Sequence, residues 1–161
     1  MGMSQTKPKT RSRKTTRNVD PLDELVQELA LALRLDRAAL LFVIASARPT
    51  RERAQKKLSD ALQAMGQHIR FMDASELTDG DVPMAIRNEQ ERGKKIFFVS
   101  NLRAGGEATL RALNVRREYF SELRARVVFW LTPTEEKVLA RHATDFWMFR
   151  QRTIYLSSDK T

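Results

Sequence analysis

Short apolar segments alternate with amphipathic segments along most of the chain. Ala39 to Ala45 (ALLFVIA) and Val127 to Leu131 (VVFWL) lack the polar alternation of a strand that is exposed on one face. Such runs are typical of strands covered on both faces, as in the parallel sheets of α/β proteins. Lys95 to Ser100 has the same character, and a last strand is predicted over Thr153 to Leu156. His68 to Asp73 is shorter and more polar, so it is predicted to lie nearer an edge of the sheet.

The segments between the predicted strands have the apolar spacing and the capping residues that are typical of helices. The first helix is predicted to begin at Asp20-Pro21, and its apolar side chains recur every three or four residues: Leu22, Leu25, Val26, Leu29 and Leu33. Thr50 is predicted to cap the helix that follows the first strand, and Gly66 to end it. Thr132-Pro133-Thr134-Glu135 has the order of a capping box, with Glu135 as its acidic partner.

This order predicts a three-layer α/β/α domain, Rossmann-like or P-loop NTPase-like, with about five mostly parallel strands. An extra helix at the N-terminus precedes the first strand. The domain is predicted to span residues 20–157, between a disordered basic tail at 1–19 and a short C-terminal tail at 158–161. A chain of 161 residues suits one domain with a core of ordinary size.

The composition excludes several kinds of functional site and several cellular locations. The chain has no cysteine, which excludes disulfides, thiolate nucleophiles and zinc–thiolate sites and favours a reducing compartment. No apolar segment reaches the roughly 18 residues of a membrane span. The basic N-terminus also lacks the apolar region of a secretory signal. A cytoplasmic protein without a membrane association is therefore expected.

The formal net charge of +9 is concentrated at the N-terminus. Residues 1–19 contain no acidic residue and six basic ones, namely Lys7, Lys9, Arg11, Arg13, Lys14 and Arg17. Such a tail could bind nucleic acid through its phosphates, because each neutralised phosphate releases counterions. It could equally be a solvated leader without a specific role, since it carries no aromatic residue that could stack on a base.

The carboxyl ends of the strands are where an open parallel sheet binds its ligand. After the first strand, a phosphate-binding loop would need glycines followed by lysine and a hydroxyl residue, but this chain has Ser46-Ala47-Arg48-Pro49. No glycine-rich dinucleotide fingerprint is present either. Arg48 and Thr50 remain candidates to contact a ligand there, through charge and hydroxyl respectively.

The third strand ends at Ser100-Asn101, where a hydrolytic NTPase would hold a carboxylate for magnesium. Asp73 is the only carboxylate directly at a predicted strand end, so Asp73 and Asn101 complete the candidate ligand residues; a turn or capping role is the alternative for Asp73. Neither His68 nor His142 has metal-ligand partners at suitable spacing, so no metal site, cofactor or catalytic residue is assigned. His142 is expected to face the aromatic cluster of Phe146, Trp147 and Phe149, with Trp147 and Phe149 in the core.

The second half of the chain resembles a known kind of module. Leu113-Asn114 with Arg117-Glu118, the strand VVFWL, and LARHATDFW followed by a short strand are similar to the end of the α/β module in bacterial AAA/STAND-type multidomain proteins. Those modules often precede tetratricopeptide repeats in signalling or defence systems. The similarity extends over about residues 37 to 156, and only its last third is specific. Two departures are that the chain stops after the module, and that MFRQRT replaces the usual tryptophan-arginine-glycine run.

The resemblance implies a P-loop-like sheet that lacks a working phosphate loop and serves as a regulatory or docking module. The first hypothesis is accordingly a non-catalytic module that binds a protein partner. The second is a nucleic-acid-binding protein that uses the basic tail, and the third is a divergent NTPase or nucleotide-binding protein.

Overall fold

A computed structural model describes residues 20–157 of the chain. The strands are β1 (Ala39–Ala45), β2 (Ile69–Asp73), β3 (Ile96–Ser100), β4 (Arg126–Leu131) and β5 (Arg152–Leu156). The helices are α1 (Pro21–Arg34), α2 (Arg48–Ala64), α3 (Val82–Gln90), α4 (Gly106–Val115), α5 (Glu118–Glu122), α6 (Pro133–His142) and α7 (Thr144–Met148). Short 3₁₀ turns lie at Ala74–Glu76, Thr78–Gly80 and Leu102–Gly105.

All five strands belong to one parallel sheet with the order β2-β3-β4-β1-β5. The predicted three-layer α/β fold is therefore confirmed, and β2 lies at an edge as its polar composition predicted. Phe42 at the middle of β1 lies beside Phe129 of β4 on one side and Thr153 of β5 on the other. The predicted strand bounds agree with the structure to within one residue.

The sheet is covered by a hydrophobic core on each face. The first core packs under α3 to α7 and includes Phe42, Phe97, Phe129 and Phe146. The second core packs under α1 and α2 and includes Leu25, Leu29, Leu58, Phe98 and Trp130. The predicted apolar stripe of α1 is confirmed, because it covers the second core. Within the described residues, no helix is long and apolar enough to cross a membrane.

A buried arginine fixes the amino end of the central strands. Arg126, the first residue of β4, is 4% exposed, and its guanidinium donates to the carbonyl oxygen of Arg37 and to Oδ1 of Asp36, each at 3.0 Å. Asp36 also binds Arg124 at 2.7 Å and Lys94 at 3.2 Å, so its carboxylate joins the end of α1 to β3 and β4. These charge-assisted bonds, of which those with Lys94 and then Arg126 have the largest effect, hold the pKa of Asp36 below its ordinary value.

Three predicted placements are wrong. The helix α2 begins at Arg48 rather than after Thr50, because Pro49 fits the first turn of a helix and the turn includes it. His142 is exposed instead of facing the aromatic cluster, since α6 ends there and Leu139 and Ala143 take the buried positions. Phe149 is 38% exposed rather than in the core, as it follows the end of α7.

Thr109 of α4 packs against Gly80 and Gly105, which belong to two different 3₁₀ turns. Thr109 of α4 is fully buried, and its Oγ1 has no hydrogen-bond partner among the described residues. A Cβ atom at Gly105 would lie 1.8 Å from this oxygen, and one at Gly80 would lie 2.0 Å from it. Both distances are far below van der Waals contact, so the two 3₁₀ turns can approach α4 only because glycine stands at both positions.

We predict that Gly105→Ala lowers the free energy of unfolding by about 1–3 kcal/mol, measured by urea denaturation. The backbone of Gly105 has an ordinary φ of −80°, so the loss would come from the contact with Thr109 and not from backbone strain. The Thr109→Ala variant removes the closest contact but keeps its own Cβ at 2.9 Å from the new one, so it should restore part of that loss when combined with Gly105→Ala. Losses that simply add in the double variant would show that the contact is not the cause.

Candidate functional site

Polar residues from neighbouring strands meet at the carboxyl edge of the sheet. Asp73 at the end of β2 is in register with Ser100 at the end of β3, and Ser100 is in register with Trp130 of β4. Asn101 and Thr132 directly follow β3 and β4. This edge is where a protein of this architecture binds its ligand, so a site is expected here first.

Asp73, Ser75 and Asn101 form one hydrogen-bonded cluster. Oδ1 of Asp73 accepts bonds from the Ser75 backbone N–H at 2.9 Å, from the Ser75 hydroxyl at 2.6 Å and from the Asn101 amide at 3.1 Å. Asp73 thereby caps the 3₁₀ turn that follows β2. The bonds from Ser75 first, with Asn101 adding to them, hold the pKa of Asp73 below its ordinary value. The structure thus brings together two of the residues predicted to contact a ligand.

The other two predicted residues stand apart from this cluster at the start of α2. The guanidinium of Arg48 pairs with the carboxylate of Glu52 at 3.0 Å, one turn along the same helix, and both side chains are largely exposed. Thr50 is partly buried in the first turn of α2. Within residues 20–157, no hydrogen bond or ion pair joins Arg48 or Thr50 to Asp73 or Asn101.

The connection between β1 and α2 consists of Ser46 and Ala47 alone. Ala47 is the N-cap residue and supplies no side-chain bond, and Pro49 has no N–H. The N–H of Arg51 already donates to the carbonyl oxygen of Ala47 at 3.1 Å. A phosphate-binding loop surrounds the phosphate with several free amides from a longer, glycine-rich segment. This connection is too short and has too few free amides to do so.

Glu135 links two of the loops at the carboxyl edge. It is 7% exposed, and its Oε1 accepts the N–H of Thr132 at 2.9 Å, which confirms the predicted capping box. Its Oε2 accepts the N–H of Arg103 at 2.9 Å. The sequence could not reveal this second bond, because Arg103 lies 32 residues away along the chain. Both carboxylate oxygens are thus engaged by backbone amides, which leaves Glu135 a structural role.

An apolar groove runs between α4 and α6 beside these loops. Its deeper part is a cavity of about 250 Å³, and its apolar lining is Leu102, Leu110, Val138 and Leu139. A shallower part adjoins this cavity, since Glu107 and Leu110 line both. The other residues that line the shallower part are Arg111, Asn114, Val115 and His142. We call these two parts the α4–α6 groove. The groove was not predicted from the sequence. The feature that could have indicated it is the presence of Val115 and Val138, two apolar helix residues that belong to neither core.

The structure does not describe the remaining predicted residues, and it shows no metal site among residues 20–157. The basic residues of the tail, Lys7, Lys9, Arg11, Arg13, Lys14 and Arg17, lie outside the described residues. Among residues 20–157, no group of three or more histidine, aspartate or glutamate side chains is arranged to hold a metal ion. The described residues therefore offer two hydrogen-bonded carboxylates, Asp73 and Glu135, the amide of Asn101 and an apolar groove.

We predict that Asp73 titrates below the ordinary aspartate value of about 3.9. The Ser75→Ala variant should raise this pKa, because it removes the hydroxyl donor, and Asn101→Ala should raise it less. A lowered pKa stabilises the fold at pH above the ordinary value, and this contribution is lost as the pH falls through the folded-state pKa. Carboxyl NMR titration of the wild type and the two variants measures the three values. A wild-type pKa at or above the ordinary value would contradict the bonding described.

No family model and no curated protein matches this sequence. Among solved structures, the fold is similar to that of the ORC2 protein of Aeropyrum pernix, solved as ADPNP–ADP complexes. The TM-score is 0.58 at 11% sequence identity, and the similarity covers 86% of this chain and 47% of the ORC2 chain. The chain thus spans about half the length of that protein. At this identity the similarity concerns the fold alone, which is the predicted three-layer α/β/α fold, Rossmann-like or P-loop NTPase-like.

Proposed function

We propose that this chain is a non-catalytic protein-interaction or regulatory module built on a degenerate nucleotide-binding fold. The observation that carries the proposal is the two-residue connection between β1 and α2, Ser46-Ala47. A P-loop NTPase holds the phosphates of its nucleotide in the loop at this point of the fold. Here the strand passes almost directly into the helix.

The residues around that connection supply no substitute for the missing loop. The first turn of α2 contains Pro49, and Arg48 is paired with Glu52. At the end of β3, Ser100 and Asn101 stand where a magnesium-binding carboxylate would be needed, and neither is ionised. The nearest carboxylate, Asp73, has one oxygen occupied by three hydrogen bonds. The chain thus lacks the loop that would bind phosphate and the carboxylate that would bind magnesium at these points of the fold.

The biological setting of the proposal comes from the resemblance to AAA/STAND-type modules. We infer a role in a bacterial signalling or defence system, in the cytoplasm, with a separate protein as partner. The ADPNP and ADP of the ORC2 complexes belong to that protein. This chain shares its fold and, on our proposal, not its nucleotide.

We predict that isothermal titration calorimetry with up to about 1 mM ATP or GTP and magnesium shows no binding to the full chain. The physical reason is that the two-residue connection and the first turn of α2 offer too few free backbone amides to surround the phosphates. Thr50→Ala and Asp73→Asn serve as paired variants, because they remove the hydroxyl and the carboxylate nearest to a possible ligand. Nucleotide binding or turnover by the wild type that either variant abolishes would favour a divergent NTPase and overturn the proposal.

A second candidate function is nucleic-acid binding through the N-terminal tail. The observation that favours it is the presence of six basic and no acidic residues in positions 1–19. Duplex binding of this kind would depend on salt rather than on base sequence, because lysine and arginine would contact phosphates only.

If this second function holds, the affinity for a 20-base-pair duplex will fall with a slope of roughly −5 in log K against log salt concentration, for six phosphate contacts. Deleting residues 1–19 should abolish it. A matched variant with glutamine at all six basic positions keeps the length of the tail and should lose the affinity equally. Fluorescence anisotropy measures both, and an affinity unchanged by the deletion would exclude the tail as the binding element.

A further inference from the structure

The strand β2 lies at an edge of the sheet, so half of its backbone groups have no neighbouring strand in the described residues. In a parallel pair, alternate residues of a strand direct both their N–H and their C=O to the partner strand. The carbonyl oxygen of His68 accepts the N–H of Ile96 in β3. Arg70 and Met72 therefore also direct their backbone groups to β3. The backbone groups that point away from the sheet, which we call the outer edge of β2, belong to Ile69, Phe71 and Asp73.

A row of aromatic rings ends at this outer edge. The ring of Trp130 in β4 lies 5.3 Å from the ring of Phe98 in β3, which lies 5.2 Å from the ring of Phe71. Trp130 and Phe98 are buried, whereas Phe71 is 50% exposed. An exposed aromatic residue beside unpaired backbone groups makes an edge strand prone to pairing with another strand.

The outer edge of β2 is complementary to itself. When two copies of a strand pair antiparallel about a twofold axis through the central residue, that residue lies opposite its own copy. Phe71 of one copy would lie opposite Phe71 of the other, and Ile69 would lie opposite Asp73. Every outward N–H would then meet an outward C=O, because residues in such hydrogen-bonded pairs exchange both bonds. The aromatic row would also continue into the second copy, so a second copy of this chain fits the edge.

The side chain of Arg70 lies across the outer edge of β2. It starts on the same face of the sheet as the buried Met72, and its Nη1 donates to the outward carbonyl oxygen of Phe71. Its Nε lies 3.4 Å from Oε2 of Glu89 in α3, and the other oxygen of Glu89 lies 3.8 Å from Nζ of Lys95. The guanidinium is thus held between α3 and the edge strand. It occupies one of the acceptors that pairing would require.

We propose that Arg70 blocks the outer edge of β2 and so keeps this chain from pairing with a second copy through Phe71. In the symmetric pair, the Arg70 side chains of the two copies would be diagonal neighbours about 7–8 Å apart on one face, where their like charges repel. Each would also lose its bond to the carbonyl oxygen of Phe71. Charged side chains on edge strands are a general means of preventing such pairing. This inference goes beyond the proposed function and does not depend on it.

The first test measures self-association of the full chain by sedimentation equilibrium. Arg70→Thr should lower the dissociation constant of the dimer at least about tenfold relative to the wild type, because it removes the charge and frees the carbonyl oxygen. Arg152→Thr should leave self-association unchanged. Arg152 is a matched control: it is an exposed arginine on the opposite edge strand and is likewise held by helix carboxylates, those of Glu24 and Glu28, but its side chain donates to no backbone carbonyl oxygen in the described structure.

A second test concerns the register of the pair. Phe71→Lys added to Arg70→Thr should restore the monomer, because the two lysines would lie directly opposite each other. In the Arg70→Thr dimer, the amide hydrogens of Ile69, Phe71 and Asp73 should exchange more slowly than in the wild type. The amides of Arg70 and Met72 bind β3 in both states and serve as the internal reference.

A further variant leaves β2 itself unchanged. Glu89→Gln removes the ion pair that holds the guanidinium, so it should strengthen self-association by about two- to fivefold, less than Arg70→Thr does. It keeps the inference testable if Arg70→Thr does not fold. Circular dichroism verifies that each variant is folded.

Several results would overturn the inference. If Arg70→Thr and Glu89→Gln are as monomeric as the wild type, or if Arg152→Thr associates equally, Arg70 does not block the edge. A wild-type dimer that Phe71→Lys dissociates would show that the edge pairs despite Arg70. Open-ended assemblies of Arg70→Thr, or a dimer that persists with Phe71→Lys, would place the contact elsewhere. Slow exchange of the outward amides in the wild type that is lost on deletion of residues 1–19 would make the tail the occupant.

Discussion

The structure depends on the burial of β1 and β4 on both faces. Every residue of Ala39–Ala45 and of Arg126–Leu131 is buried, and the two strands lie side by side in the middle of the sheet. Two adjacent strands without an exposed face require a layer of helices above and another below. The phenylalanines of the first core and the leucines of α1 and α2 meet that requirement. The fold is thus stabilised by apolar burial on both faces of these two strands.

The carboxyl edge of the sheet is connected by hydrogen bonds to its own carboxylates. Asp73 binds the turn that follows it, and Glu135 joins the start of α6 to the loop after β3. Glu135 has both carboxylate oxygens bonded to backbone amides, and Asp73 has one oxygen bonded to Ser75 and Asn101. Donors from the chain itself thus occupy much of the polar surface at this edge.

The sequence predicts correctly the elements whose causes are local. The apolar runs of β1 and β4, the stripe of α1 and the capping box at Thr132 each depend on residues close together in the chain, and all agree with the structure. The predicted cap at Thr50 is wrong because two neighbouring residues, Pro49 and Thr50, both suit the first turn of a helix. The bond between Glu135 and Arg103 and the groove could not be predicted, since both depend on how α4 and α6 lie in space. A sequence pattern gives the buried face of each helix but not the gap between two of them.

The two tryptophans of the chain are placed in different layers of the domain. Trp130 is fully buried in the second core, with the ring of Phe98 at 5.3 Å. Trp147 packs on the outside of the first core, and the guanidinium of Arg150 lies 3.6 Å from the centre of its ring. Each face of the sheet therefore has its own fluorophore: the ring of Trp130 lies in the apolar core under α1 and α2, and the ring of Trp147 lies in the opposite helical layer beneath the guanidinium of Arg150. Their emission can show whether the two layers separate from the sheet together, as a two-state domain requires, or one after the other.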